Sequence, residues 1–169
     1  MLVPSRFQHE PGPLNDNVIA LARHRRTATP LRRDAIVVRV HGWKHVAAAL
    51  TAARETSRAV TLLAPPASTY TGGVGFWAAI DKRRQELFAD VTAELIVDCD
   101  GAPGHVMAAL RVGLKHLIFD GNDAARTRLV DIVAKHGADL LQRPQAALDL
   151  IHEKDPLRAC RLLLAAAPV

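Results

Sequence analysis

From Asp34 onward the chain alternates short continuous apolar runs with longer segments whose apolar residues recur every three or four positions. "AIVVRV" (35–40) reads as a first strand and "GWKHVAAALTAARET" as a helix carrying Val46, Leu50 and Ala53 on one face. "AVTLLAPP" (59–66) is a second strand, stopped by prolines that cannot donate to a ladder. A second helix is expected over "FWAAIDKRRQELF", with Phe76, Ile80 and Leu87 as its buried stripe and Phe88 as its continuation. "AELIVDCDG" (93–101) and "KHLIFDG" (115–121) supply strands three and four. Between them, "PGHVMAALRVG" has proline at N1 and Gly113 at C′, the asymmetry of a helix. "NDAARTRLVDIVAKHG" opens on a cap-forming Asn122 and closes on Lys135, His136 and Gly137, in keeping with helix polarity. "ADLLQ" is a weak fifth strand, and "PQAALDLIHEKDPLRACRLLLAAA" reads as one or two covering helices.

Runs of Val, Ile and Leu without polar alternation belong to parallel strands buried on both faces. Their alternation with helices predicts an α/β domain: a parallel sheet of four to five strands with covering helices. A partial, TIM-barrel-like sheet would keep the order 1-2-3-4-5, whereas a flavodoxin-like three-layer sandwich would run 2-1-3-4-5. Residues 1–33 are different. Pro4, Pro11, Gly12, Pro13 and Pro30 leave room for one short helix over "NDNVIALARHRR", so this stretch reads as an arm and 34–169 as a single domain. A length of 169 residues suits one domain with a sizeable core.

Hydrophobic residues make up 49% of the chain but aromatics only 4%, so the core must be aliphatic. The net charge of +5 is concentrated in the arm, where Arg6, Arg23, Arg25, Arg26, Arg32 and Arg33 face only Glu10 and Asp16. Arginines without interleaved aromatics favour a solvated segment, and nucleic-acid binding is not expected. Cys99 and Cys160 match neither a disulfide framework nor a zinc spacing, which fits a reducing compartment. No apolar run approaches the roughly 18 residues of a membrane span, and no apolar leader opens the chain, so a cytoplasmic protein without a membrane partner is expected.

Folds of this class place function beyond the carboxyl ends of the strands, here at 41–42, 65–75, 98–101 and 120–122. Asp98 and Asp100 flank Cys99 and share a face if extended. Such a pair can bind a divalent cation or divide acid and base work; the simpler reading, favoured here, has one cap the helix near Pro103 and the other remain solvated. His41, His45, His105 and His116 lack the spacing of a closed metal site and are expected to be structural. In "ASTYTGGVGF" (67–76), Gly72 and Gly73 precede a helix start whose free N–H groups suit an anion. They serve equally well as the positive-φ residues of a turn. No nucleophile elbow occurs, and "GGVG" lacks the lysine of a phosphate loop.

The order of these pieces resembles part of the class II fructose-bisphosphate aldolases. "AAALTAARETSRAVTLLAPPASTYTGG" is similar to that family's first helix, second strand and Tyr-Gly-Gly loop, and "HVMAALRVGLKHLIFDGN" to a later helix and strand ending in Asp-Gly. The likeness covers about residues 41–122. Where the family's third strand ends in an Asp-His pair, supplying the proton-transfer acid and a zinc ligand, this chain has Cys99 and Asp100. The family's remaining metal ligands and phosphate loops come from later strands, for which this chain is too short. The resemblance therefore implies a degenerate aldolase-like domain, without aldol chemistry, that binds a small polar or phosphorylated ligand or acts in assembly. The expected ligand residues are Tyr70, Gly72, Gly73, Asp98, Asp100, Asp120 and Asn122, with no metal, catalytic residue or cofactor assigned. The alternative is a divalent-metal lyase in which Asp98 and Asp100 replace the lost pair and a partner subunit completes the site.

A sheet of four or five strands leaves edges that need cover. "AIVVRV" and "ADLLQ" are the expected edges, and a homodimer is the expected cover. Leu150, Ile151, Leu157, Leu162 and Leu163 are placed at or beneath its contact.

Overall fold

The computed structural model describes residues 36–167, and the arm of residues 1–33 lies outside them. The strands are β1 (Val37–Arg39), β2 (Val60–Leu63), β3 (Ala93–Asp98), β4 (His116–Ile118), β5 (Asp139–Leu141) and β6 (Leu148–Asp149). The helices are α1 (Trp43–Thr56), α2 (Ser68–Thr71), α3 (Gly73–Leu87), α4 (Pro103–Arg111), α5 (Asp123–Lys135) and α6 (Pro156–Ala166), with a 3₁₀ turn at Leu150–His152.

All strands run parallel in one sheet of order β5-β4-β3-β2-β1-β6. The sequential run from β1 to β5 excludes the flavodoxin-like order. The sheet has six strands, one more than expected, because the segment read only as covering helices first contributes β6 against β1. "AIVVRV" is consequently an interior strand, and the edges are β5 and β6.

Residue parity separates two cores. Val38, Val40, Leu62, Leu95, Val97, Leu117 and Leu140 face the helices and form the main core with Leu50, Trp77, Val106, Leu129 and Leu164. The opposite parity, Val37, Leu63, Ile96, Ile118 and Leu141, forms a second cluster to which no helix among the described residues contributes. These five are nevertheless buried, so they cover one another across a curved sheet. The connection from β5 to β6 requires the same curvature. Residues 142–147 span at most about 25 Å, while the edges of a flat six-stranded sheet stand about 24 Å apart, which leaves no slack for a turn. The sheet is rolled, with helices outside and a small apolar plug inside.

Local signals behave largely as read. Asn122 caps α5 by accepting from the Ala125 N–H, Pro103 opens α4, and Gly113 and Gly137 adopt positive φ. The stripe of α3 is different: Trp77 and Ile80 are buried, while Phe76 and Leu87 are exposed. Helix α6 packs along α1, and Arg161 pairs with Glu55 through two 2.7 Å hydrogen bonds.

A candidate ligand site at the carboxyl rim

The carboxyl ends of the strands carry two polar assemblies and two pockets. Over β3, β4 and β5 the centre is Arg143, two residues beyond β5 and on the same parity as inward-facing Leu141. Its Nε and Nη2 donate to the two carboxylate oxygens of Asp98 at 2.9 and 3.2 Å, and Nη1 donates to Asp120 at 3.0 Å. Asp100 stands 3.7 Å from the guanidinium. Asp98 is 1% exposed, and its Oδ1 also accepts the Asp100 N–H at 2.9 Å. Asp100 adopts φ 50°, which turns the chain back over Asp98. The hydrogen bonds of Asp98 push the arginine pKa further up; burial opposes them, and the charges of Asp98, Asp120 and Asp100 add to the rise.

Neither aspartate is a helix cap, contrary to the favoured reading: α4 starts at Pro103, and its N-cap position, Ala102, has no side-chain cap. The pair meets an arginine instead. Asn122 spends its side-chain oxygen on α5, and Gly121 fits because a Cβ there would collide with the buried Phe119 ring. A pocket of about 290 Å³ adjoins this cluster, walled by Phe119, Asp120, Arg126, Leu141 and Arg143.

Over β1, β2 and β6 the arrangement differs. Asp149 accepts from Arg39 at 3.2 Å and lies 2.7 Å from His41 Nε2. Burial opposes ionisation of Asp149, but the Ile151 N–H, His41 and Arg39 outweigh it and hold its carboxyl below the usual range. His45 accepts the His41 backbone N–H on Nδ1; burial and then the neighbouring His41 lower its pKa. His105 lies 2.9 Å from the Thr69 hydroxyl and meets the edge of Tyr70, and His116 pairs with Asp139 at 3.5 Å. The four histidines thus fall in three places: His41 and His45 touch each other, and His105 and His116 each have a different partner. Among the described residues no group of three or more His, Cys, Asp or Glu is arranged to hold a metal.

The stretch 67–76 is mostly helical. Ser68–Thr71 form one turn, Gly72 breaks it, and α3 restarts at Gly73 with φ 74°. Gly72 and Ser68 line a second pocket, of about 270 Å³, with His41, Pro65, Phe76 and Trp77. Tyr70 is exposed against His105 and does not line it.

The expected ligand residues therefore fall into separate places: Asp98, Asp100 and Asp120 around Arg143, and Gly72 in the pocket over β1 and β2. Arg143, Arg39 and Asp149 were not anticipated. Parity past β5 gave a signal for the first, and an arginine inside an apolar strand gave one for the other two.

Compared with protein-family models and with curated proteins, the chain matches none.

Proposed function

We propose that this chain is a small-ligand-binding or assembly domain, aldolase-like in layout, with no aldol chemistry of its own. The observation that carries this reading is Arg143. A divalent cation at the rim would need the carboxylate oxygens of Asp98, Asp100 and Asp120, and the guanidinium takes both oxygens of Asp98 and one of Asp120. Planar bidentate pairing is among the strongest of charge-assisted contacts. A metal would have to displace it and sit beside its positive charge. The sequential order of the parallel strands is that of part of a TIM-like barrel, the layout this reading uses.

Native mass spectrometry with metal analysis, followed by an assay of ketose bisphosphate cleavage with magnesium, manganese or zinc supplied, tests this reading. It predicts no stoichiometric divalent metal and no cleavage. Bound metal together with turnover would instead support the metal-dependent lyase completed by a partner subunit.

Self-association belongs to the same proposal. β6 is an edge of only two residues, and beside it Ile151 and Leu162 are exposed, while Leu150 is buried in the core and Leu157 and Leu163 pack against it. A homodimer would use Ile151 and Leu162. Sedimentation equilibrium at micromolar protein should give a mass that rises above 18.3 kDa with concentration; a constant mass would refute the dimer. A cytoplasmic setting is proposed on the two free, buried thiols, whose pKa values burial pushes up to about 12 for Cys99 and about 11 for Cys160. Among the described residues no helix is long and apolar enough to cross a membrane.

A further inference from the structure

The wall of the pocket over β1 and β2 carries a histidine–carboxylate pair. Val37 belongs to the inner cluster, so Arg39 and His41 continue the inward parity of β1 up to and past its carboxyl end. Asp149 stands opposite Arg39 in the register of β6 against β1. Carboxyl ends of parallel strands are where barrels of this kind carry their chemistry.

Asp149 is held from three sides. Its Oδ1 lies 2.7 Å from His41 Nε2 and accepts the Ile151 N–H at 3.0 Å, and its Oδ2 accepts from Arg39 at 3.2 Å. A carboxylate so held stays ionised and can only accept. His41 therefore carries its proton on Nε2, which leaves Nδ1 of the neutral ring with a free lone pair. Nδ1 has no hydrogen-bond partner among the described residues and is not sealed from solvent; the side chain as a whole is 23% exposed. His45 stands edge-on to His41 at 5.7 Å and does not compete for Asp149, because its own Nδ1 takes the His41 backbone N–H. No Ser, Thr or Cys side chain among the described residues bonds to His41, so the pair does not serve a side-chain nucleophile. His41 lines the cavity of about 270 Å³ together with the apolar Pro65, Phe76 and Trp77 and the hydroxyl-bearing Ser68 and Thr71. That volume, slightly below the usual range of about 300 Å³ and upward, admits only a small molecule.

We infer that His41, positioned by Asp149, is a general base that removes a proton from a small, flat, largely apolar carbon acid seated in this pocket. The substrate C–H bond breaks, its electron pair stays with the substrate, and Nδ1 takes the proton. Asp149 stabilises the imidazolium through the Nε2–H, and the proton then leaves Nδ1 for the product or for water. This goes beyond the binding reading above: it gives the other half of the rim a proton-transfer chemistry and uses none of the aspartates around Arg143.

The test has two arms on the full chain. Long-range ¹H–¹⁵N spectra of the imidazoles should show neutral His41 with its proton on Nε2. A nitro-substituted benzisoxazole then serves as the carbon acid: loss of its ring C–H proton to the base forms the nitrile, breaks the N–O bond and releases a coloured phenolate. The protein should accelerate this elimination by about a hundredfold or more over an equal concentration of free imidazole, the low end for a positioned base. The rate should rise with pH along the same curve as the loss of the His41 imidazolium signal. His41→Gln should abolish the acceleration. Asp149→Asn, which frees the ring to take the other tautomer, should lower kcat by about tenfold or more with KM little changed. Thr71→Phe, which narrows the pocket, should raise KM several-fold without changing the His41 tautomer, and His116→Gln should leave the rate unchanged. A proton on Nδ1 of neutral His41 in the wild-type chain, or equal rates for the wild type and a His41→Gln variant with an unchanged circular dichroism spectrum, would overturn the inference. The tautomer is read without any variant, so a misfolded substitution leaves the test intact. Failure here leaves the binding reading standing, whereas metal-dependent cleavage of ketose bisphosphates removes that reading whatever His41 does.

Discussion

The two halves of the rim arise from the same parallel strand ends yet treat their polar groups in opposite ways. Over β3–β5, Arg143 gathers Asp98, Asp100 and Asp120, and the buried carboxylate has both oxygens engaged. Over β1 and β2, a buried indole N–H and a buried hydroxyl have no partner among the described residues. The contrast follows from what burial costs each group. An unpaired buried carboxylate is so unfavourable that the fold must supply a counter-ion. An unmatched neutral donor costs only about 1–3 kcal/mol, which a domain can carry. The first half is thus committed to paired charges, and the second tolerates two unmatched neutral groups.

The sharpest way to break this contrast is to remove the counter-ion. Arg143→Met should strand Asp98 and lower unfolding stability by about 3 kcal/mol in urea denaturation, the scale for breaking a buried pair. Adding Asp98→Asn should recover much of the loss, because the orphaned charge is then gone. A loss under about 1 kcal/mol would mean that Arg143 is only a surface contact. A smaller effect is expected next door: Gly121→Ala drives a Cβ into the Phe119 ring and should cost about 2 kcal/mol, as overpacking does. Trimming the ring in a Phe119→Leu background should relieve part of that steric term.

The charged assembly in the second half gives a pH signature. Asp149 has a depressed carboxyl pKa in the fold, so its contribution is present above its unfolded value of 3.8 and lost as pH falls through and below it. His45, lowered from 6.5 chiefly by burial, adds stability above that value and loses it as pH falls. Urea midpoints should therefore decline from pH 7.5 to 5.5 and again below pH 4. Asp149→Asn should lose about 1 kcal/mol at neutral pH and flatten the second decline, whereas an unchanged acid limb would remove Asp149 from the account. The smallest effect is expected far from the rim. Arg161→Ala breaks an exposed pair with Glu55 and should leave the Tm nearly unchanged, since water and salt screen such contacts; a clear drop would show that the α1–α6 seam depends on it.

Much of the fold was legible because buried parallel strands announce themselves as unbroken aliphatic runs, and because Pro103, Gly113, Asn122 and Gly137 each have a local physical role independent of tertiary context. β6 was not, since Leu148–Asp149 is too short to show a pattern and exists only through pairing with β1. The α3 stripe failed because two candidate faces lie side by side on that helix. The break at Gly72 and Gly73 sets which one meets the sheet, and the larger Trp77 goes inside. At the rim, the aspartates were visible as strand-end residues, but their partner was not. Arg143 lies 45 residues from Asp98 in sequence, and only the placing of β5 one strand away from β3 brings the two together. The unmatched indole has no sequence signature at all, because it is defined by the partner it lacks.

The central claim is that the rim aspartates hold an arginine and not a metal. It is tested most directly by adding micromolar Mn²⁺ to ¹⁵N-labelled protein and mapping paramagnetic loss of amide signals. The account predicts that the amides of Asp98, Asp100 and Asp120 persist in the wild-type chain. Selective, stoichiometric bleaching of those three amides would show that a divalent cation competes with Arg143, and would contradict it.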